Sequence, residues 1–417
     1  MRPPQSVPSK PLPPRSVPPQ SVPSTSLPPA SRSRAGLRLT AAAALGRFEL
    51  QRCARCSAVQ YPPREACHRC LSTQLLWTLQ SGEGELISQT TLHHSHERYF
   101  RDRLPWRVGM VRLASGPTVL AHLHGAVAAA PARVRVSVRL DKAGQAVLIA
   151  VPAGEEMIDL GEDRQLKEMT CDPRNRRVLV TDGSTAVGCA LVRALIAAGA
   201  DKVWVGDAGA DGTTTLAELS GLSGVTLVPM DVTRAESVAH AAAAIADQVD
   251  ILVSNCERNA MQAGREAVSG APDSPRAQED AARAEMDVNY FGLLRLAQEF
   301  GPAMRKRNAG GPANAIAWVN LLSVYAMSNF PPRGTFSASM AAAYSLSQWL
   351  RAQMQAAGIR VMTVFPGPIE PGALARAVVE ALQDGLEELY PGDVAQQWLE
   401  RWLESPKVLE RELAVGR

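Results

Sequence analysis

Val178-Leu179-Val180-Thr181-Asp182-Gly183-Ser184-Thr185-Ala186-Val187-Gly188 is the stretch on which the fold turns. A short apolar run gives way to a polar loop with glycines at both ends, and an alanine-rich stretch, 186–198, follows at once. An apolar run too short for a helix reads as a buried strand, and the alanine-rich segment reads as a helix. The same alternation continues downstream. Strands are predicted over 178–181, 203–207, 226–230, 251–254, 317–322 and 361–365, with helices over 186–198, 235–246, 281–307 and 337–357. Strand–helix repetition of this kind predicts an α/β, Rossmann-type doubly wound parallel sheet over residues 176–417.

Upstream the texture differs. Five short runs, at 84–88, 108–113, 118–123, 134–138 and 146–151, several of alternating polarity, are separated by glycine, proline or charged turns. Five short strands suggest a small barrel over 77–152. A polar, charged stretch, 153–175, reads as a linker between the halves, so the chain is expected to be multidomain, as 417 residues already suggest.

Before the barrel, Cys53-x-x-Cys56 and Cys67-x-x-Cys70 stand ten residues apart. Each CxxC closes a tight knuckle that aims two thiolates at one point, and two knuckles complete a tetrahedron. Four protein ligands leave no position for water, so a structural zinc is expected within a ribbon over 45–76. His68 lies inside the second knuckle but is surplus to a four-cysteine set. Cys171, Cys189 and Cys256 have no partner by spacing. An odd cysteine count with paired spacing suits a metal site in a reducing cytoplasm better than disulfides.

Of 30 prolines, 11 fall in the first 30 residues, where Pro3–Ser9 recurs unchanged as Pro18–Ser24. Such a segment offers little to bury and favours polyproline II, so residues 1–35 are expected to be a disordered or semi-rigid tail. Five basic residues and no acid lie before residue 35, giving +5, whereas the whole chain is +3. The remainder is near −2, which argues against a strongly basic nucleic-acid surface. No apolar run is long enough for a membrane span, and the N-terminus lacks the apolar core of a signal peptide.

The cysteine spacing followed by five short strands, with the stretch Leu104-Pro105-Trp106-Arg107-Val108-Gly109-Met110-Val111-Arg112-Leu113, resembles the DUF35 family over roughly residues 45–152. The resemblance implies a rubredoxin-like zinc ribbon joined to an OB-fold, in a protein that accompanies thiolases or other acyl-CoA enzymes. The barrel segment 76–152 holds nine basic and five acidic residues, an excess able to face CoA phosphates. Single-stranded nucleic acid is the usual alternative OB ligand. However, Trp77, Tyr99, Phe100 and Trp106 are expected near loops rather than along strands, where a stacking platform would need them.

Residues from Val178 onward resemble the short-chain dehydrogenase/reductase family. Thr181–Gly188 stand where the family has TGxxxGIG, and Ser254-Asn255-Cys256-Glu257 where it has NNAG. Asp207 ends the second strand, Asp231 follows the third, and Asn289 sits in Val288-Asn289-Tyr290-Phe291-Gly292. Ser323 ends the fifth strand, and Phe336-Ser337-Ala338-Ser339-Met340 occupies the YxxxK position. In the family Tyr protonates the nascent alkoxide, Lys lowers the phenol's pKa and binds the nicotinamide ribose, Ser holds the carbonyl, and Asn anchors a water relay. Ser323 and Asn289 therefore match as catalytic remnants, while Phe336 has no hydroxyl and Met340 no charge. Tyr325 and Tyr344 are the nearest phenols in sequence, and neither has the family's spacing. The cofactor positions implied are Gly183, Gly188, Asp207, Asp231 and Asn255. Asp182 and Ala186 replace family glycines, and a carboxylate at Asp182 would repel the pyrophosphate. Asp207 would favour NAD over NADP, although a strand-end cap explains it equally.

The expectation is thus a pseudoenzyme domain within a non-catalytic accessory subunit for acyl-CoA metabolism. Its partners would be a thiolase-like enzyme at the ribbon–barrel half and a dehydrogenase subunit, or a second copy, at the other. The two long helices usually form the family's subunit interface, and the apolar stripe Met340, Ala343, Leu346 and Leu350 is read as part of it. A working NAD-dependent oxidoreductase with an unrecognised acid, and a nucleic-acid-binding OB protein, are the alternatives.

Overall fold

A computed structural model describes residues 26–154, 158–209, 214–257, 275–308 and 315–415. The proline-rich repeat, up to residue 25, lies outside these residues, as does part of the connecting stretch. No element is predicted before Phe48, yet Arg34–Ala44 is a helix, capped by Ser33 Oγ accepting from the Gly36 amide at 3.1 Å. Its Leu39 and Ala43 are buried in the barrel core.

Strands β1 (Glu49–Cys53), β2 (Val59–Gln60) and β3 (Leu75–Leu79) form a three-stranded antiparallel sheet that carries the cysteine pairs. Strands β4 (Glu83–Leu92), β5 (Trp106–Leu113), β6 (Thr118–Leu123), β7 (Ala132–Leu140) and β8 (Ala146–Pro152) close into a barrel in the order β4-β5-β6-β8-β7. Every neighbouring pair is antiparallel except β6 and β8, as a five-stranded Greek-key OB barrel requires. Alternation sets its interior. Along β7 the residues Val134, Val136, Val138 and Leu140 point in and are buried, while Arg133 and Arg135 point out.

Two aromatics expected near loops are placed differently. Trp77 lies in β3 of the ribbon and Trp106 opens β5, where its ring is 1% exposed. The Trp106 indole N–H donates to His122 Nδ1 at 2.9 Å. Burial, which disfavours the imidazolium, holds His122 down at about 4 against an ordinary value near 6.5. The sign follows: above pH 6.5 the neutral ring costs nothing, and stability is lost as pH falls from about 6.5 towards 4. Urea midpoints at pH 7 and pH 5 should therefore diverge. His122→Gln, which keeps an acceptor for Trp106 but does not titrate, should shrink that difference.

The connecting residues from 158 on form a packed strap. Leu160, Leu166 and Met169 are buried against Tyr99, Trp106, Ile149 and Val151 of the barrel. Gln165 pairs with the Arg107 backbone as an added strand would, accepting from its N–H at 2.7 Å and donating to its C=O at 2.8 Å. Glu168 takes a two-pronged pair from Arg103 at 3.0 Å each and the Tyr99 hydroxyl at 2.9 Å. Polar composition suggests a free linker, but these polar groups spend themselves on the barrel.

The second half is a seven-stranded parallel sheet with strands β9 (Arg177–Val180), β10 (Lys202–Asp207), β11 (Val225–Pro229), β12 (Ile251–Ser254), β13 (Ala317–Leu321), β14 (Arg360–Val364) and β15 (Glu388–Leu389). Their order is β11-β10-β9-β12-β13-β14-β15, reversing between β9 and β12. β15, only two residues long, is a strand the sequence pattern does not reveal. Helices cover both faces, so β13 and β14 are buried at every position and are mostly apolar, with Asn320, Arg360 and Thr363 the buried polar exceptions. Ligands of such sheets bind at the carboxyl ends of the strands beside the reversal, and the sequence motifs gather there.

One expectation is overturned in the long helix Gly334–Gln355. Met340, Ala343, Leu346 and Leu350 are 1%, 0%, 7% and 1% exposed, packed into this chain's own core with Phe300 and Val361. A periodic stripe shows that a face is covered, not by what. The outward side carries Trp349, and Phe291 is exposed on the neighbouring helical segment.

The halves meet at Arg360. Its guanidinium donates to the carbonyls of Leu140 and Asp141 in the barrel, Met169 in the strap and Gly385 in the second half, at 2.9 to 3.2 Å. Gln355 adds a bond to the Ala143 carbonyl at 2.8 Å, and Arg139 pairs with Asp384 at 2.7 Å.

Candidate functional site

The ribbon site is built by two matching turns. The Ser57 amide donates to the Cys53 carbonyl at 2.9 Å and the Leu71 amide to the Cys67 carbonyl at 3.0 Å. Both Ser57 and Leu71 take left-handed backbone angles, φ 58° and 59°, which fold each loop back on its cysteines. Cys53 and Cys70 sulfurs, and those of Cys56 and Cys67, lie 3.6 Å apart, and all four ligand atoms fall within 4.8 Å of one another. Zinc–sulfur bonds of about 2.3 Å in a tetrahedron place sulfurs about 3.8 Å apart, so the four fit a zinc ion. The Arg69 amide lies 3.4 Å from Cys67 Sγ, a donor able to stabilise a thiolate there. His68 turns away, its Nδ1 3.2 Å from Gln60 Oε1. The four cysteines are positioned for metal binding, and zinc bound there would staple the knuckles with no open coordination position.

At the second site, the loop after β9 is clamped to the end of β12. Asn255 Oδ1 accepts from the Asp182 amide at 2.9 Å and the Thr181 hydroxyl at 3.1 Å, while its Nδ2 donates to the Asp182 carbonyl at 2.6 Å. Thr185 caps the helix Ala186–Ala197 by accepting from the Gly188 amide at 3.0 Å. Gly188 is obligatory here, because a Cβ would stand 1.9 Å from the Asp182 carbonyl oxygen. Gly183 packs against Val205 on β10, where a Cβ would meet a methyl at 2.1 Å.

Three acids around this loop are engaged locally. Asp182 Oδ1 takes the Ser184 amide at 2.8 Å and its hydroxyl at 2.6 Å. The carboxylate thus consumes donors that a loop of this kind would offer to phosphate. Asp207 accepts from the Gly209 amide at 2.8 Å, a turn-capping bond, and Asp231 accepts from the Thr233 amide and hydroxyl at 2.9 and 2.7 Å. Burial, with Asp182 nearby, pushes the Cys256 thiol up to about 12, so it is no nucleophile.

Beside this loop, Asn289 sits in a π-helical turn, Asp287–Gly292, with its Nδ2 donating to Ser339 Oγ at 2.8 Å. Ser339 in turn donates to the Phe336 carbonyl at 2.8 Å. Ser323 Oγ accepts from the Tyr325 amide at 3.3 Å and is 7% exposed. Phe336 and Met340 are both 1% exposed. The structure therefore brings Ser323, Asn289, Phe336 and Met340 onto one helix–loop junction, with the tyrosine and lysine positions sealed by apolar side chains.

The two phenols nearest in sequence are packed against other side chains. Tyr325 is stacked on Phe330 at 5.0 Å and meets Phe336 and Trp398 edge-on at 6.4 and 5.4 Å. Tyr344 points to β15, 3.5 Å from Glu388, and burial raises its pKa. Sequence reading misses Trp398, which reaches this site from the helix Gly392–Glu404, because no motif precedes it.

Three family models match the chain: "ChsH2, rubredoxin-like zinc ribbon domain" over residues 40–75, "ChsH2, C-terminal OB-fold domain" over 77–144, and "short chain dehydrogenase" over 176–382. Dehydrogenase/reductase SDR family member 7B of Rattus norvegicus is 29% identical over 49% of this chain and 61% of its own length. Short-chain dehydrogenase cctT of Talaromyces islandicus is 29% identical over 36% of this chain and 49% of its own. The chain thus spans about half to three-fifths of these curated relatives. A crystal structure of a short chain dehydrogenase from Burkholderia cenocepacia J2315 in complex with NADP is 29% identical, with a TM-score of 0.50, covering 58% of this chain and 98% of that one. One polypeptide therefore joins a ChsH2-type zinc ribbon and OB-fold to a short-chain dehydrogenase domain.

Proposed function

We propose that this chain is a non-catalytic accessory subunit of acyl-CoA metabolism, acting in the cytoplasm as a scaffold. The ribbon and barrel dock a thiolase-like enzyme, and the dehydrogenase half pairs with an active short-chain dehydrogenase subunit or a second copy. The observation that carries this reading is the sealed Phe336–Met340 pair, with no titratable group at the position of the proton donor and its activator. Losing one acid–base group costs about 10²–10⁴ in rate, and here both are gone. On the barrel, Ile87, Met110 and Leu120 are 40%, 40% and 54% exposed on adjoining strands β4, β5 and β6, an apolar row suited to meeting another protein.

A hydride-transfer assay with NADH or NADPH and a 3-oxoacyl-CoA tests the catalytic part. The natural chain is expected to give no turnover above background, and a kcat of about 1 s⁻¹ or more, ordinary for an enzyme, would contradict the proposal. Phe336→Tyr with Met340→Lys supplies the missing acid and cation, but the Asp182 carboxylate stays in the loop. Turnover should therefore return only when Asp182→Gly is added.

The alternative, an NAD(P)-dependent oxidoreductase with an atypical active site, is favoured by the Thr185 cap, the Gly188 contact and the Asn255 clamp, which leave the loop's frame intact. Micromolar binding in a NADH fluorescence titration would support it. Against the nucleic-acid reading, two of the four aromatics a platform would use, Tyr99 and Trp106, are 3% and 1% exposed.

A further inference from the structure

Between the barrel, the strap and the dehydrogenase sheet lies a cleft of about 810 Å³, the size of a small-molecule site. Its acids are already employed, Asp102 by Arg98 at 3.7 Å. Asp141 accepts from the amides of Ala143 and Gln145 at 2.9 Å each, and both Glu168 oxygens serve Arg103. Glu387 is 3.7 Å from Arg351, Asp172 caps the Arg174 amide at 3.0 Å, and Glu162 pairs with Arg174.

Arg103, Arg174, Arg351 and Arg360 are likewise held by protein acceptors, but three other cations are not. The Lys142 side chain is 9% exposed, and among the described residues its only ionic contact is at 3.9 Å with a Glu168 oxygen that Arg103 already holds. It makes no side-chain hydrogen bond among the described residues. Arg176 and Lys167 line the same cleft, and among the described residues neither side chain forms a hydrogen bond or ion pair. Burial holds the Lys142 ammonium below its usual range, the Glu168 carboxylate pulling the other way and Arg103 and Arg176 adding repulsion. A buried ammonium without hydrogen bonds is costly, and an anion bound between these cations would offset that cost.

We propose that this cleft binds a phosphate-bearing small molecule, gripped by Lys142 and Arg176 with Lys167 at the rim, at the joint between the two halves. Two buried or half-buried cations and a third at the mouth match a ligand with at least two negative charges. The volume leaves room for more than the anion itself, so the ligand is nucleotide-sized. Because barrel, strap and sheet all supply walls, the ligand bridges both halves and lies apart from the loop at Gly183–Gly188.

Isothermal titration of the full chain with inorganic pyrophosphate and with ADP tests this. Saturable binding is expected for both, tighter for ADP if the nucleoside is also held, and weakened at least about tenfold by Lys142→Gln and by Arg176→Gln. Lys142→Arg should retain binding, which separates charge from folding, and unchanged melting and zinc content check each variant. Unaltered affinity in Lys142→Gln would assign the anion to the Rossmann loop and overturn the proposal. Absence of heat with both probes at about 5 mM would overturn it as well.

Discussion

Replacing Arg360 with methionine is expected to loosen the two halves and lower global stability by at least about 3 kcal/mol, since buried acceptors left without donors cost about 1–3 kcal/mol each. Arg360 is 9% exposed, and its guanidinium serves four carbonyls from three parts of the chain. No other side-chain type reaches them all. Lysine keeps the charge, but a single ammonium cannot serve carbonyls on both sides of a planar fork. Arg360→Lys should therefore fall between the natural chain and Arg360→Met. Thermal unfolding would register the loss, and limited proteolysis should show earlier cutting in the strap around residues 158–172. An unchanged melting curve for Arg360→Met would mean that the joint is held elsewhere.

Removing the metal, by a chelator or by Cys67→Ser, should unfold the ribbon while sparing the dehydrogenase sheet. The ribbon has three short strands and little core of its own, and structural zinc supplies about 10–16 kcal/mol of apparent binding energy in comparable small domains. Cys67 is 0% exposed, and its sulfur lies 3.6 Å from that of Cys56. Elemental analysis should give one zinc per natural chain and none in Cys67→Ser, whereas His68→Ala should keep its metal because His68 is turned to Gln60. Hydrogen exchange should rise across β1 to β3 and stay low in β13 and β14. Full ribbon protection in the metal-free chain would refute the zinc assignment.

Features made by neighbours in sequence were legible, and those made by distant contacts were not. The cysteine knuckles are local turns, so their spacing alone reveals them. The parallel strands, buried on both faces, announce themselves as apolar runs between helices. β15 is two residues long and exists because β14 pairs with it. Trp398 reaches Tyr325 from 73 positions away, and Arg360 reaches Leu140 across 220, with no signal in either local stretch. The Met340–Leu350 stripe shows the limit of periodicity, which identifies a covered face but not its cover. Asp182 illustrates the reverse. The motif marks it as a misfit, and the geometry adds that its carboxylate takes up the Ser184 donors itself.

One measurement reads both the partners of this chain and its lack of hydride-transfer chemistry. The full chain, tagged and purified from its own cells, would be examined by native mass spectrometry with subunits identified and hydride transfer assayed on the same complex. A thiolase-like enzyme and a short-chain dehydrogenase bearing an intact tyrosine and lysine are expected to co-purify, with the activity following the partner and surviving Phe336→Ala in this chain. A solitary chain that oxidises a hydroxyacyl-CoA with NAD, and loses that activity on Tyr325→Phe, would contradict the account.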